Sequence, residues 1–225
     1  MKQEPATVLG DAYSLVKEGI KEGRFAPGQR LVEVDVASEF GIGRSTVREI
    51  LRRLAGDGLV DYEPHRGVVV RSLTRAQVED IYLVREHLEG LSARLAAKNI
   101  RRPGNRKKLT EFKKEFRAKE LEANIPLYLR HNEKFHALIT ELSDSDSLRD
   151  LRERLVVPTF RLQFAQQVSV STTKRALNEH KQVVEAILEG DQKSAESEIR
   201  RHIRNAGVML QDLPDTAFKR EKVAS

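Results

Sequence analysis

The chain has 225 residues, a net charge of +6, 39% hydrophobic and 33% charged side chains, and no cysteine. That length allows one large domain or two modest ones with buried cores, and the cysteine count excludes disulfides, thiolate metal sites and a cysteine nucleophile. No apolar run approaches the roughly 18 residues of a membrane span, and MKQEPATVLGDAY lacks a signal-peptide pattern, so the sequence predicts a cytoplasmic protein without membrane segments. The basic balance points to an anionic partner. Residues 1–71, however, carry 11 basic and 11 acidic side chains, so any DNA affinity of that part rests on where its arginines sit.

From Thr7, VLGDAYSLVKEGIKEG predicts an amphipathic helix with Val8, Ala12, Leu15, Val16 and Ile20 near one face. Gly23 ends it, and Ala26-Pro27-Gly28-Gln29 is a turn. A second short helix over Val34 to Phe40 turns Val36, Ala37 and Phe40 inward, and Gly41-Ile42-Gly43 breaks it. A third helix, Arg44 to Ala55, has a buried stripe of Val47, Ile50, Leu51 and Leu54, while Ser45, Arg48, Glu49 and Arg52 point away. Two short helices joined by a glycine-containing turn make a helix-turn-helix. The first residues of its second helix meet base edges; here those are Arg44, Ser45, Thr46 and Arg48, with Arg52 one turn further on. Arginine can hold guanine O6 and N7 together, and the helix N-terminus attracts phosphate. Residues 59–63 and 68–71 then read as two strands around the turn Pro64-His65-Arg66-Gly67. That hairpin is a wing, bringing His65, Arg66 and the Gly67 backbone toward phosphates or the minor groove. The arginines alone fit an ordinary solvated helix equally well; helix, turn, helix and wing in that order favour DNA.

The segment GRFAPGQRLVEVDVASEFGIGRSTVREILRRLAGDGLVDYEPHRGVVV resembles the winged helix-turn-helix of GntR-family bacterial transcription regulators. The resemblance lies in the Pro-Gly turn, the Leu-x-Glu entry to the second helix, the Arg-x-x-x-Arg-Glu core of the third and the Arg-Gly wing tip. The sequence departs from the family pattern at Gly43, where Ser usually caps the helix, at Ser45-Thr46, where Thr-Pro is common, and at Val34, where some members place a DNA-contacting arginine. The resemblance implies binding to double-stranded operator DNA without naming the operator.

Beyond Ser72-Leu73 the chain changes character. Thr74 caps a long helix ending near Ile100, and further helices are expected at 106–119, 125–142, 147–168, 173–189 and 192–211. The fold class expected is therefore mainly α: a winged helix-turn-helix over residues 1–72, an all-α bundle of about six helices over 73–212 for effector binding and dimerisation, and a loose tail over 213–225. Polar groups interrupt three apolar stripes. Asn132 and His136 share a face with Leu129 and Ile139, His180 lies with Leu177, Val184 and Ile187, and His202 lies with Ala195, Ile199, Ile203 and Ala206. Three inward imidazoles on three helices can converge, and such a set suits Zn²⁺ or Ni²⁺ with coordination positions left open. A single inward histidine is more often a hydrogen-bonded core residue. His131 points off the motif face and His87 has no evident partner, so both read as structural or solvated.

The stretches VREHLEGLSARLAA, NEKFHALI, EHKQVVEAILEGD and IRRHI resemble the FCD effector domain of the FadR-type branch of the same family. There an Asp-x-x-x-His pair and two later histidines bind a metal, which implies Asn132, His136, His180 and His202 as ligands here, with Asn in place of Asp. Such domains bind small organic acids on the metal, and Arg85 matches an arginine common among them. Arg85 can clamp a second carboxylate or pair with Glu86 or Glu89. The combined reading is a ligand-responsive regulator, with repression the commonest logic, acting as a homodimer on a two-fold symmetric operator. Alternatives are a purely structural or empty histidine site in the same regulator and, at a distance, a metal-dependent hydrolase. The hydrolase lacks a carboxylate in the histidine motifs to act as general base and leaves the winged module without purpose, so no enzyme is expected.

Overall fold

The structure is a computed structural model that describes residues 5–116, 120–155, 163–164 and 167–220. Two compact units form. The first comprises described residues up to 74 with 163–164 and 215–220; the second comprises the rest.

In the first unit α1 (Pro5–Lys21) buries Ala12, Val16 and Ile20. Leu15, expected on that face, is instead 57% exposed. The three buried residues run i, i+4, i+8 with Leu9 and Tyr13 packed beside them, and Leu15 lies about 100° around the helix from Val16, away from Tyr13. The side chain of Val8 lies outside the described residues. Helix α2 (Glu33–Phe40) ends where Gly41 takes φ 63°, a left-handed conformation that suits glycine. Helix α3 (Arg44–Gly56) buries Val47, Ile50, Leu51 and Leu54, each no more than 1% exposed. Each such side chain contributes roughly 1.5–3 kcal/mol by leaving water. Strands β1 (Val60–Glu63) and β2 (Gly67–Val70) pair antiparallel, with Val60 opposite Val70 and Glu63 opposite Gly67. The segment after the Pro-Gly turn does more than turn. Leu31 N–H donates to the Val68 carbonyl at 2.8 Å and Val70 N–H to the Gln29 carbonyl at 2.8 Å, so residues 29–31 edge the wing.

The second unit is helical throughout its described residues: α4 (Arg75–Lys98), α5 (Asn105–Glu115), the single turn α6 (Glu120–Ala123), α7 (Ile125–Leu142), α8 (Asp146–Leu155), α9 (Val170–Glu189) and α10 (Gln192–Gln211). Small residues let α4 and α10 approach closely. A Cβ at Gly90 would come within 2.8 Å of Arg200 Cγ, and one at Gly207 within 3.1 Å of the Tyr82 ring. Ala93, Ala96 and Ala97 of α4 then meet Leu109 and Phe112 of α5, Phe135 and Ile139 of α7, Val183 and Ile187 of α9, and Ala195 and Ile199 of α10 in one core.

Four local details differ from expectation. Helix α9 starts at Val170 rather than 173, because Ser169 accepts from Thr172 N–H while the Thr172 hydroxyl accepts from Ser169 N–H, a capping box closed by threonine. Helix α6 is too short to show a periodicity. The helix expected over 147–168 is described as α8 only to Leu155; residues 156–162 and 165–166 lie outside the described residues. Finally, the loose tail expected over 213–225 does not hold at Asp215–Lys219, which fold onto the first unit; residues 221–225 lie outside the described residues.

Candidate nucleic-acid interface and histidine centre

The exposed side of α3 presents Arg44, Ser45, Arg48 and Arg52, with Thr46 half-buried beside them. No side chain caps the helix at Gly43, which leaves its first-turn N–H groups without a competing oxygen. Arg48 Nε donates to Glu33 Oε2 at 2.8 Å, from the first turn of α2. Arg52 lies 3.5 Å from Glu49, one turn back. At the wing tip His65 takes φ 62° and Gly67 φ 74°, so the tight turn holds a non-glycine residue in the left-handed region. Arg66 leans back onto Glu63 at 2.9 Å and the Gly28 carbonyl at 3.3 Å. Arg48, Arg52 and Arg66 are exposed and their guanidinium groups pair with carboxylates, partners they can trade for an anion.

In the second unit the three inward histidines come together. His136 of α7, His180 of α9 and His202 of α10 are buried, and each offers a ligand atom within 4.8 Å of the others'. His180 Nε2 and His202 Nε2 are 3.1 Å apart. Two nitrogens on one ion at about 2.0–2.1 Å stand roughly 3.0–3.4 Å apart, so the pair is already at the spacing of adjacent ligands. His202 Nδ1 lies 2.7 Å from Glu179 Oε2, and Glu179 Oε1 accepts from Asn205 at 2.8 Å. With Nδ1 donating, Nε2 of His202 turns a lone pair toward His180. His136 Nδ1 makes a close pair with Glu89 Oε2. Glu89 Oε1 in turn accepts from Arg85 Nε and Nη2 at 2.9 and 2.7 Å, and the guanidinium sits 4.9 Å over the Tyr82 ring. Of the pairings open to Arg85, the structure therefore shows Glu89; Glu86 is held by Arg200 and Arg204.

The charge states follow from this packing. Burial pushes His136 down to about 4, with Glu89 opposing, and pushes His180 well below the ordinary histidine range, so both imidazoles are neutral near pH 7. Burial works to raise Glu89, but His136 and Arg85 outweigh it and hold the carboxylate ionised. Glu179 is likewise lowered against its burial by His202 and Asn205. Neutral imidazoles oriented by carboxylates are the form in which histidine binds a metal, and the buried His180 Nδ1 has no hydrogen-bond partner among the described residues. The donor set thus fits a borderline cation such as Zn²⁺ or Ni²⁺. Asn132 stands one turn before His136 on α7, half-buried.

His131 is not solvated. It stacks on Phe112 at 4.7 Å and meets the edge-on Phe116 at 4.9 Å, and neither ring nitrogen has a hydrogen-bond partner among the described residues. His87 is exposed, with Nδ1 against its own helix at the Leu83 carbonyl. Reasoning on the sequence alone missed Glu179 as the orienting group of His202. Its only signal is its place beside His180, whereas its contact is across to the next helix.

A model described as bacterial regulatory proteins, gntR family, matches residues 10–70, and an FCD domain model matches residues 80–205. The chain belongs to the GntR family. Members of it are DNA-binding transcription regulators rather than enzymes. This GntR protein is 28% identical over 200 residues to the HTH-type transcriptional regulator YdhC of Bacillus subtilis (strain 168), covering 86% of each chain. It is 27% identical over 195 residues to the HTH-type transcriptional repressor RspR of Escherichia coli (strain K12), covering 85% of this chain and 84% of that one. Its fold matches the crystal structure of a GntR transcriptional regulator from Rhodococcus sp. RHA1 with a TM-score of 0.75 at 21% identity, over 92% of this chain and all of the other. Among the described residues no helix is long and apolar enough to cross a membrane.

Proposed function

We propose that this chain is a cytoplasmic repressor that binds a two-fold symmetric operator as a homodimer and responds to a small organic acid held on a divalent metal. The observation that carries the reading is the buried triad of His136, His180 and His202, with two Nε2 atoms 3.1 Å apart, in a chain that also bears a winged helix-turn-helix. Asn132 completes the ligand set as a neutral oxygen donor. The metal, Zn²⁺ or Ni²⁺, supplies exchangeable positions that favour an anionic oxygen ligand. Arg85 adds a cation at that site, already shared with Glu89, so an effector carboxylate reaches it by sharing or displacing that bond. On DNA, Arg44, Ser45, Thr46, Arg48 and Arg52 read the major groove, and His65, Arg66 and Gly67 contact the flanking backbone or minor groove. Repression is supported by the named role of RspR.

Homodimerisation is supported by an apolar strip on α4. Leu83 and Val84, neighbours in sequence, are 58% and 39% exposed, and Leu91, two turns further on, is 41% exposed. Such a strip buries itself against a second copy about a two-fold axis. Effector binding then biases one arrangement of the winged units, by no more than its difference in affinity between the two arrangements.

The test is a titration of chelator-treated protein with Zn²⁺ and Ni²⁺, followed by a panel of mono-, di- and tricarboxylates. Binding to a duplex selected from a random pool by the wild-type chain is read at each step. Carboxylates that change duplex affinity only in the metal-loaded protein support the reading. A second reading, an empty or structural site, draws on the His180–His202 contact, which pairs the two Nε2 atoms with each other without an ion. It is supported if metal binds without altering the response to any carboxylate, or does not bind.

A further inference from the structure

Residues 215–220 lie beyond both matched segments, yet they are built into the winged unit. Phe218 is 9% exposed and its ring lies 5.4 Å from that of Phe164. Leu73, 1% exposed, is gripped from two sides. Its carbonyl accepts from Lys219 N–H and from Gln163 Nε2, both at 2.9 Å, and its N–H donates to Gln163 Oε1 at 2.8 Å. Gln163 Nε2 also reaches the Ala217 carbonyl at 3.0 Å. From this clasp Lys219 extends to the wing, with Nζ 2.7 Å from Glu63 Oε1 and 3.6 Å from Asp61. Glu63 holds Arg66 at the wing tip through its other oxygen, Oε2, at 2.9 Å. One nearly buried carboxylate is therefore shared between a C-terminal lysine and the arginine assigned to DNA. Lys219 beside it also keeps the Glu63 carboxyl below the usual carboxylate range.

DNA presents one negative charge about every 1.7 Å along its axis. Without Lys219, Asp61 would face that charge without its lysine and Glu63 would bind Arg66 alone and more tightly. We propose that Lys219 is a positioning residue for DNA binding, with the C-terminal segment serving as a clasp that neutralises Glu63 and leaves Arg66 available to the nucleic acid. The clasp follows α10, which carries His202, after only three residues.

This inference rests on the reading of Arg66 as a DNA contact, and the experiment separates the two. Full-length wild type, Lys219→Met, Lys219→Arg, Arg66→Ala, Glu63→Gln and the Glu63→Gln/Lys219→Met double variant are titrated onto the selected duplex at several salt concentrations. Methionine keeps the aliphatic stem, and melting temperatures confirm folding. Lys219→Met is expected to weaken binding roughly threefold to tenfold, the effect of one compensating charge. Arginine at 219 restores binding, and removing the Glu63 charge in the double variant restores it as well. A loss that Glu63→Gln fails to rescue would overturn the inference, because Lys219 would then act directly on phosphate or on the fold. Wild-type affinity in Lys219→Met would overturn it too. If Arg66→Ala binds normally while Lys219→Met is weakened and rescued, the Arg66 assignment fails and the neutralising role of Lys219 stands.

Discussion

Replacing Arg48 with alanine separates recognition from folding. The only bond the structure gives its guanidinium among the described residues is the 2.8 Å contact to Glu33, with the two side chains 62% and 37% exposed. A pair so open to water contributes at most about 1 kcal/mol to stability. A bidentate arginine–guanine contact, by contrast, discriminates against the wrong base by about 1–3 kcal/mol. A two-fold symmetric complex makes that contact twice, so Arg48→Ala costs about 2–6 kcal/mol of specific binding, or roughly thirtyfold to twenty-thousandfold. Fluorescence anisotropy on the selected duplex and on a scrambled duplex of equal length, at one fixed salt concentration, reads the difference. The variant is expected to fall toward its scrambled-duplex affinity on both, with a melting temperature within about 3 °C of wild type. Glu33→Gln, which removes the partner and keeps the arginine, stays within a few-fold of wild type. Retained affinity for the selected duplex in Arg48→Ala would refute the assignment of α3 as the reading helix. An equal loss on both duplexes would reduce Arg48 to a phosphate contact.

Glu179→Gln removes the charge that orients His202 and is expected to weaken Zn²⁺ binding about tenfold to a hundredfold in a chelator competition; unchanged affinity would show that His202 needs no orienting carboxylate. Leu54→Ala opens a cavity in the fully buried core of the winged unit and is expected to cost about 2–5 kcal/mol, read as a lower denaturant midpoint. Acidification destabilises the metal-free chain. Burial holds His131 and His136 near 4, against about 6.5 when unfolded, so the unfolded state binds more protons between those values, and stability present above about 6.5 is lost as pH falls toward 4. His131→Phe fits between Phe112 and Phe116 without unpartnered nitrogens, so its melting temperature should exceed that of wild type and drop less between pH 7.5 and 4.5; a drop as large as that of wild type would refute the buried neutral assignment.

Helix α3 was legible because its apolar positions repeat with the helical period on one side while Arg44, Arg48 and Arg52 repeat with it on the exposed side, and all four stripe residues are buried. On α1 the same rule admitted Leu15, but the face packed on the core is carried by Leu9, Ala12, Tyr13, Val16 and Ile20, and Leu15 lies beyond its edge. The convergence of His136, His180 and His202 followed from three separate stripes, each placing one imidazole inward. Which carboxylate serves which imidazole was not legible. Glu179 orients a histidine on the next helix rather than its own neighbour, and that depends on how α9 and α10 are rotated against each other. Arg85 and Glu89, four apart on one helix, were within reach of sequence spacing. The C-terminal clasp lay furthest from sequence reasoning, since Lys219 meets Leu73, Asp61 and Glu63 more than 140 residues away, and no local period encodes contacts of that separation.

Metal analysis of purified wild type beside His136→Ala, after incubation with Zn²⁺ or Ni²⁺ and removal of the excess, tests the central claim most directly. About one metal ion per chain in wild type, lost in the variant, is the predicted result. Metal-free protein in both, or equal metal in both, would contradict a regulatory centre built on the three buried histidines.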